Sequence, residues 1–177
     1  MLEIFNHLKP FFNDCYRKIS VREYAKILDI SPPTASILLN LYFKEGLLKR
    51  EEDRIYLFFS ADRDSWMFVD LCKTYWKNLL EKIGFIEYLS NEYKIANIIL
   101  FGSLSKAEVT ENSDIDMAII SVSDKKINFQ KFEKKLGRKI QIFRFDSIKD
   151  IKNKELLNNI LKGYNLSGAE YGLGKMQ

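Results

Sequence analysis

A chain of 177 residues, 46% hydrophobic and 29% charged, has the length and composition of one medium or two small globular domains. Its net charge of +4 is mild, so it excludes a polybasic tail, and no apolar run approaches the roughly 20 residues needed to cross a bilayer. One histidine and two cysteines, Cys15 and Cys72, without metal-like spacing, exclude a His- or Cys-based metal centre.

The N-terminus "MLEIFNHLKPFF" has no basic leader before an uninterrupted apolar stretch, so no signal peptide is expected, and the cysteines fit free thiols of a cytoplasmic protein. "LEIFNHL" places Leu2, Phe5 and Leu8 on one helical face, with His7 in a surface or capping role. "SVREYAKILDI" predicts a helix capped by Ser20, with Glu23 completing a capping box. "SPPTASILLNLYFKEG" predicts the next helix, with Ser31 at the cap, Pro32 at the first position and Gly46 beyond the end. "LLKREEDRIYLFFS" reads as two strands around the charged turn "REED". The polar stretch at 60–65 is the expected boundary. Phe68, Cys72, Tyr75, Trp76, Leu80 and their neighbours then predict a long helix that is either core or a homodimer face.

The last part alternates. "IANIILF", "DIDMAII" and "RKIQIFRF" predict strands. "NFQKFEKKLG" predicts an amphipathic helix, and "NKELLNNILKGYNL" a closing helix. The final "YGLGKMQ" is expected to be disordered. Residues 1–60 hold nine Lys/Arg against eight Asp/Glu, whereas 96–177 hold fourteen against ten. The surplus is C-terminal, which suits phosphates without requiring them.

The informative stretch is "FGSLSKAEVTENSDIDMAII", residues 101–120. Strand residues two apart point to the same side, so Asp114 and Asp116 project together. Two such carboxylates repel unless a cation lies between them. Mg²⁺ takes oxygen ligands from one or two carboxylates and substrate phosphates. Gly102 and Ser103, ending the preceding strand, suit close approach of a phosphate to backbone and hydroxyl.

Apolar strand, Gly-Ser, nine residues, Ser-Asp-Ile-Asp and a second apolar strand together resemble the signature of the DNA polymerase β-like nucleotidyltransferases, especially their minimal branch. The resemblance covers roughly 94–166 and extends to "LGRKIQIF" and "LLNNILKGYNLSG". It implies transfer of a nucleoside monophosphate from an NTP to a hydroxyl. It assigns Gly102, Ser103 and Ser113 to the nucleotide, and Asp114 and Asp116 to Mg²⁺ (or Mn²⁺) and catalysis. Two positions depart from the pattern. Gln141 stands where a third carboxylate is usual, and Ala107 where a glycine is usual. Glutamine offers a neutral oxygen but no general base, which weakens transfer more than nucleotide binding. Asp146 would need a bulge to substitute for it.

Residues 1–60 resemble the winged helix-turn-helix domains of prokaryotic regulators. That resemblance implies double-stranded DNA as partner, read by Thr34, Ser36, Asn40 and Lys44, with Arg50 and Arg54 on phosphates. The expected class is α+β or α/β. A winged helix-turn-helix domain spans 1–62, connecting helices 63–93, and a nucleotidyltransferase-like domain with a mixed sheet 94–177. The alternative is a catalytically impaired regulator, either a DNA-binding transcription factor or an antitoxin-like partner of a HEPN-type protein.

Overall fold

The computed structural model describes residues 2–53, 56–93, 96–123, 125 and 127–166. The expected disordered tail "YGLGKMQ" lies outside them. The chain falls into two compact units. One comprises Met1–Tyr75 with Ala107–Glu111, the other Trp76–Lys106 with Asn112–Gln177. Among the described residues no helix is long and apolar enough to cross a membrane.

The first unit contains α1 (Glu3–Asn13), β1 (Ile19–Ser20), α2 (Val21–Leu28), α3 (Pro32–Lys44), β2 (Leu48–Asp53) and β3 (Tyr56–Ala61). It also holds the start of α4 (Trp66–Lys82). Its antiparallel sheet has the order β1-β3-β2. Helix starts are set by side-chain caps. Ser20 Oγ accepts from the Glu23 N–H and Ser31 Oγ from the Thr34 N–H, both at 3.3 Å. The capping box expected at Ser20 is only half made, because the Glu23 carboxylate pairs with Arg17 at 2.5 Å instead. The "REED" turn is also corrected. Arg50–Asp53 are strand residues paired with Tyr56–Phe59 rather than a turn. Their charged side chains stand in solvent along an edge strand, where charge is as much at home as in a turn.

The core of this unit is aromatic. Phe5, Phe11, Phe12, Tyr24, Phe59 and Phe68 are buried, with Phe12 5.4 Å from Phe68 and 5.0 Å from Tyr75. His7 is half-buried beside it, and its Nε2 lies 3.8 Å from the exposed Glu3 carboxylate. Its Nδ1 lies 2.7 Å from the Tyr42 hydroxyl, and its carbonyl accepts from Tyr24 at 2.9 Å. Buried hydroxyls need partners, and the histidine supplies both atoms. Cys15 and Cys72 are buried thiols that are not joined in a disulfide. The hydrogen bond from the Cys72 thiol, chief among the causes, lowers the Cys15 pKa.

The second unit holds the rest of α4, α5 (Phe85–Glu92), β4 (Asn97–Phe101), α6 (Ser103–Lys106), β5 (Ile115–Ile120), α7 (Gln130–Leu136) and β6 (Ile140–Phe145). A 3-10 turn (Ile148–Asp150), α8 (Lys154–Leu161) and β7 (Tyr164–Asn165) complete it. The sheet has the order β6-β5-β4-β7 and is mixed: β5 and β6 are parallel, while β4 is antiparallel to both its neighbours. The fold class is therefore α+β. The closing helix is shorter than expected, since the chain leaves α8 at Leu161 and pairs as β7 with β4. Phe101, Ala118, Ile151 and Ile160 form a core cluster, with Ile120, Phe143 and Phe145 packed against it. In α4, Phe68, Cys72, Tyr75, Trp76 and Leu80 are buried within the single chain, as a core helix requires.

Candidate active site

The site lies where β4 ends and β5 begins. β4 stops at Phe101; Gly102 turns the chain with φ +72°, and Ser103 opens α6 rather than ending the strand. The turn is held by Ser105, whose hydroxyl and N–H both donate to the Gly102 carbonyl, at 2.9 and 3.2 Å. Ser105 is nearly fully buried. No motif pointed to it.

β5 begins at Ile115, so Asp114 precedes the strand and Asp116 lies inside it. The two carboxylates are unequal: Asp114 is exposed and Asp116 partly buried. Burial, and then the charge of Asp114, raise the Asp116 pKa. Asp116 pairs with Phe101 on one side and Gln141 on the other. Paired residues in adjacent strands face the same way. Further along that face, Ala118, Ile120, Phe143 and Phe145 belong to the core cluster. Asp116 and Gln141 thus form the polar end of an otherwise apolar face.

Gly102 meets Asp116 directly. A Cβ built on Gly102 would collide with the Asp116 carboxylate, its side-chain Cβ and Cγ lying 3.2 Å away. The position also needs positive φ, so glycine is required twice over. The carboxylate therefore lies against bare backbone at the end of β4, where an incoming phosphate can meet both.

Ser113 contributes its carbonyl, which accepts from Arg138 at 2.7 Å. Arg138 also stands over the Trp76 ring at 5.1 Å. The Lys139 carbonyl accepts from Ile115 N–H at 2.9 Å, so the start of β6 brackets Asp114. Arg138 lies in the "LGRKIQIF" stretch, but no role was assigned to it there. Gln141 is exposed, and Asp146 follows the end of β6.

Among the described residues no group of three or more His, Cys, Asp or Glu side chains gathers. Two carboxylates and a bare glycine turn fit one hard divalent cation shared with phosphate oxygens. They do not make a three-carboxylate centre.

Ala107 adopts φ +54° and is fully buried. Alanine holds this left-handed backbone under strain, where a glycine would adopt it freely.

The residues expected to read DNA are mostly turned to local work. Thr34 Oγ1 lies 2.8 Å from Ser31 Oγ, and the Asn40 amide donates to the Ser36 carbonyl at 2.8 Å. Arg50 reaches Asn40 at 3.5 Å and stands over the Phe43 ring at 4.9 Å. Lys44 is exposed, but so are Ile37 and Leu41 on the same helix. Arg54 lies outside the described residues.

No curated protein and no solved structure matches the chain. Residues 81–166, just under half of the 177, match the family described as Polymerase beta, Nucleotidyltransferase, so this segment is similar to that family.

Proposed function

We propose that the protein transfers a nucleoside monophosphate from an NTP to an acceptor hydroxyl, with divalent metal, at a rate limited by the missing third carboxylate. The carrying observation is the Asp116 carboxylate lying against Gly102 and in register with Gln141. Asp114 and Asp116 would hold Mg²⁺ or Mn²⁺, which when bound neutralises charge on the triphosphate and lines up the attacking oxygen. The Gly102 turn and the Ser103 hydroxyl would receive phosphate oxygens, with Ser113 beside them. Gln141 would orient the acceptor hydroxyl by hydrogen bonding but take no proton from it.

The neutral side chain at 141 also favours a second reading, a regulator that binds nucleotide without transferring it. The first unit supports such a role. Its three helices, two of them joined across Asp29–Ser31, and its β2–β3 hairpin have the make-up of a winged helix-turn-helix domain. Apolar Ile37 and Leu41 on its exposed face favour a protein partner over duplex DNA.

Calorimetry with NTPs, with and without Mg²⁺, tests the proposal on wild type and Asp114→Ala/Asp116→Ala. Mg²⁺-dependent binding in wild type alone is expected; its absence there sinks the reading. Transfer of labelled NMP should rise in Gln141→Asp. Binding without any transfer, even in that variant, decides for the regulator.

A further inference from the structure

The positive charge of this chain is concentrated in one short segment. Residues 130–139 carry Lys131, Lys134, Lys135, Arg138 and Lys139 against a single acid, Glu133. That surplus of four equals the net charge of the whole chain, so the remainder is balanced. The segment is α7 and the lead into β6, and it lines a concave surface. A hollow of about 500 Å³ is walled by Gln130, Glu133, Lys134, Gly137, Arg138 and Lys139, three cations against one carboxylate. A second, of about 450 Å³, shares Gln130 and Lys134 with it and continues to Tyr88, Asn128 and Lys131. Through these shared residues the two adjoin along one groove-like face.

Its chemistry is graded. Lys134 and Lys135 have no ion-pair partner among the described residues, and Lys131 stands over the Tyr88 ring at 4.5 Å. Lys139 approaches Glu133 at 3.9 Å, and the Glu133 carboxylate also accepts from the Ile140 N–H at 3.0 Å. Exposed like charges repel and destabilise the folded chain unless an anion joins them. Tyr88 supplies a half-buried aromatic wall, and Asn128 and Gln130 supply amides. One end of the groove lies beside the carboxylates, where Arg138 bonds to Ser113 and Lys139 to Ile115.

We propose that this groove binds the sugar–phosphate backbone of a single-stranded nucleic acid. Cations spaced along a concave path, with an aromatic ring and amides between them, suit a splayed strand whose bases can stack and hydrogen-bond. A duplex shows its phosphates on a convex surface and has no unstacked base for Tyr88. An acidic protein segment has the charge but makes no use of the ring.

The test is fluorescence anisotropy with labelled oligo(dT) of about twenty nucleotides, longer than one such site. EDTA is present and NTP absent, so the result is independent of metal-dependent transfer, and failure of either proposal leaves the other standing. Affinity should fall steeply with salt. Lys131→Gln/Lys134→Gln/Lys135→Gln should weaken it about tenfold or more and reduce the log–log salt slope by about 2. Glutamine keeps helix propensity, and circular dichroism checks that α7 survives. Lys152→Gln/Lys154→Gln should change affinity less than about twofold. Equal loss in both variants would mean diffuse charge and overturn the groove. Tighter binding of polyglutamate or of duplex than of oligo(dT) would overturn the ligand.

Discussion

Two influences act on Asp116 in the same direction. Burial and the neighbouring Asp114 favour its protonated form, so its folded pKa is raised above the unfolded value. The folded state then binds more protons in the window between those two values, and stability falls as pH rises through it. Below the ordinary aspartate range the group is neutral in both states and costs nothing. Asp116→Asn should therefore match wild type in strong acid and become the more stable protein as pH rises above that range. Thermal melts of both metal-free proteins across pH check this; a constant gap at every pH would refute it. The same variant should lose Mg²⁺-dependent NTP binding. Ala107 is strained in a different way. It is fully buried at φ +54°, so two terms compete on change to glycine: relief of about 1–2 kcal/mol and loss of one buried methyl, about 0.8 kcal/mol. Ala107→Gly should stay within about 1 kcal/mol of wild type in urea melts. Ala107→Val, β-branched and overpacked, should cost ~2 kcal/mol or more.

Among the elements, the close of the domain depends on a point of contact rather than on helix propensity. At Gly163 a Cβ would come within 2.6 Å of an Ile99 methyl, 2.7 Å of the Leu100 carbonyl and 2.9 Å of the Ile160 carbonyl. Two of those three atoms are backbone and cannot step aside. Gly163→Ala should cost about 1–3 kcal/mol in chemical denaturation by pushing β7 from β4. An unchanged midpoint would mean that the α8–β7 junction gives way freely. The apolar strands β4, β5 and β6 were legible because a run such as "NIILF" has few other places to go. The helix caps Ser20 and Ser31 were legible because capping is a local bond. The end of α8 was not. "NKELLNNILKGYNL" keeps helical spacing through Leu166, and only pairing with β4 diverts it.

For the molecule as a whole, ligand binding and fold stability are one quantity. An NTP that binds the folded chain should raise its melting temperature only when Mg²⁺ is present, because Asp114 and Asp116 repel the triphosphate otherwise. At a hundredfold excess over Kd the gain is about 2.7 kcal/mol. Differential scanning fluorimetry of wild type and Asp114→Ala/Asp116→Ala checks it; an equal shift in both proteins would place the nucleotide elsewhere.

The sequence by itself determined which residues could do chemistry here. Two aspartates one residue apart and a Gly-Ser turn after an apolar strand restrict the possible ligands, since charge and backbone freedom are properties of the residues themselves. It also placed Gln141 opposite the carboxylates by pattern, and the parallel register of β5 and β6 pairs it with Asp116. Only the tertiary structure decided what each residue is near. The collision of Asp116 with any side chain at 102, the left-handed backbone of Ala107, the bond from Arg138 to Ser113 and the groove that gathers the chain's surplus charge all join residues that no local rule connects. Such contacts are set by how strands and helices stack, and stacking depends on the fit of many side chains at once.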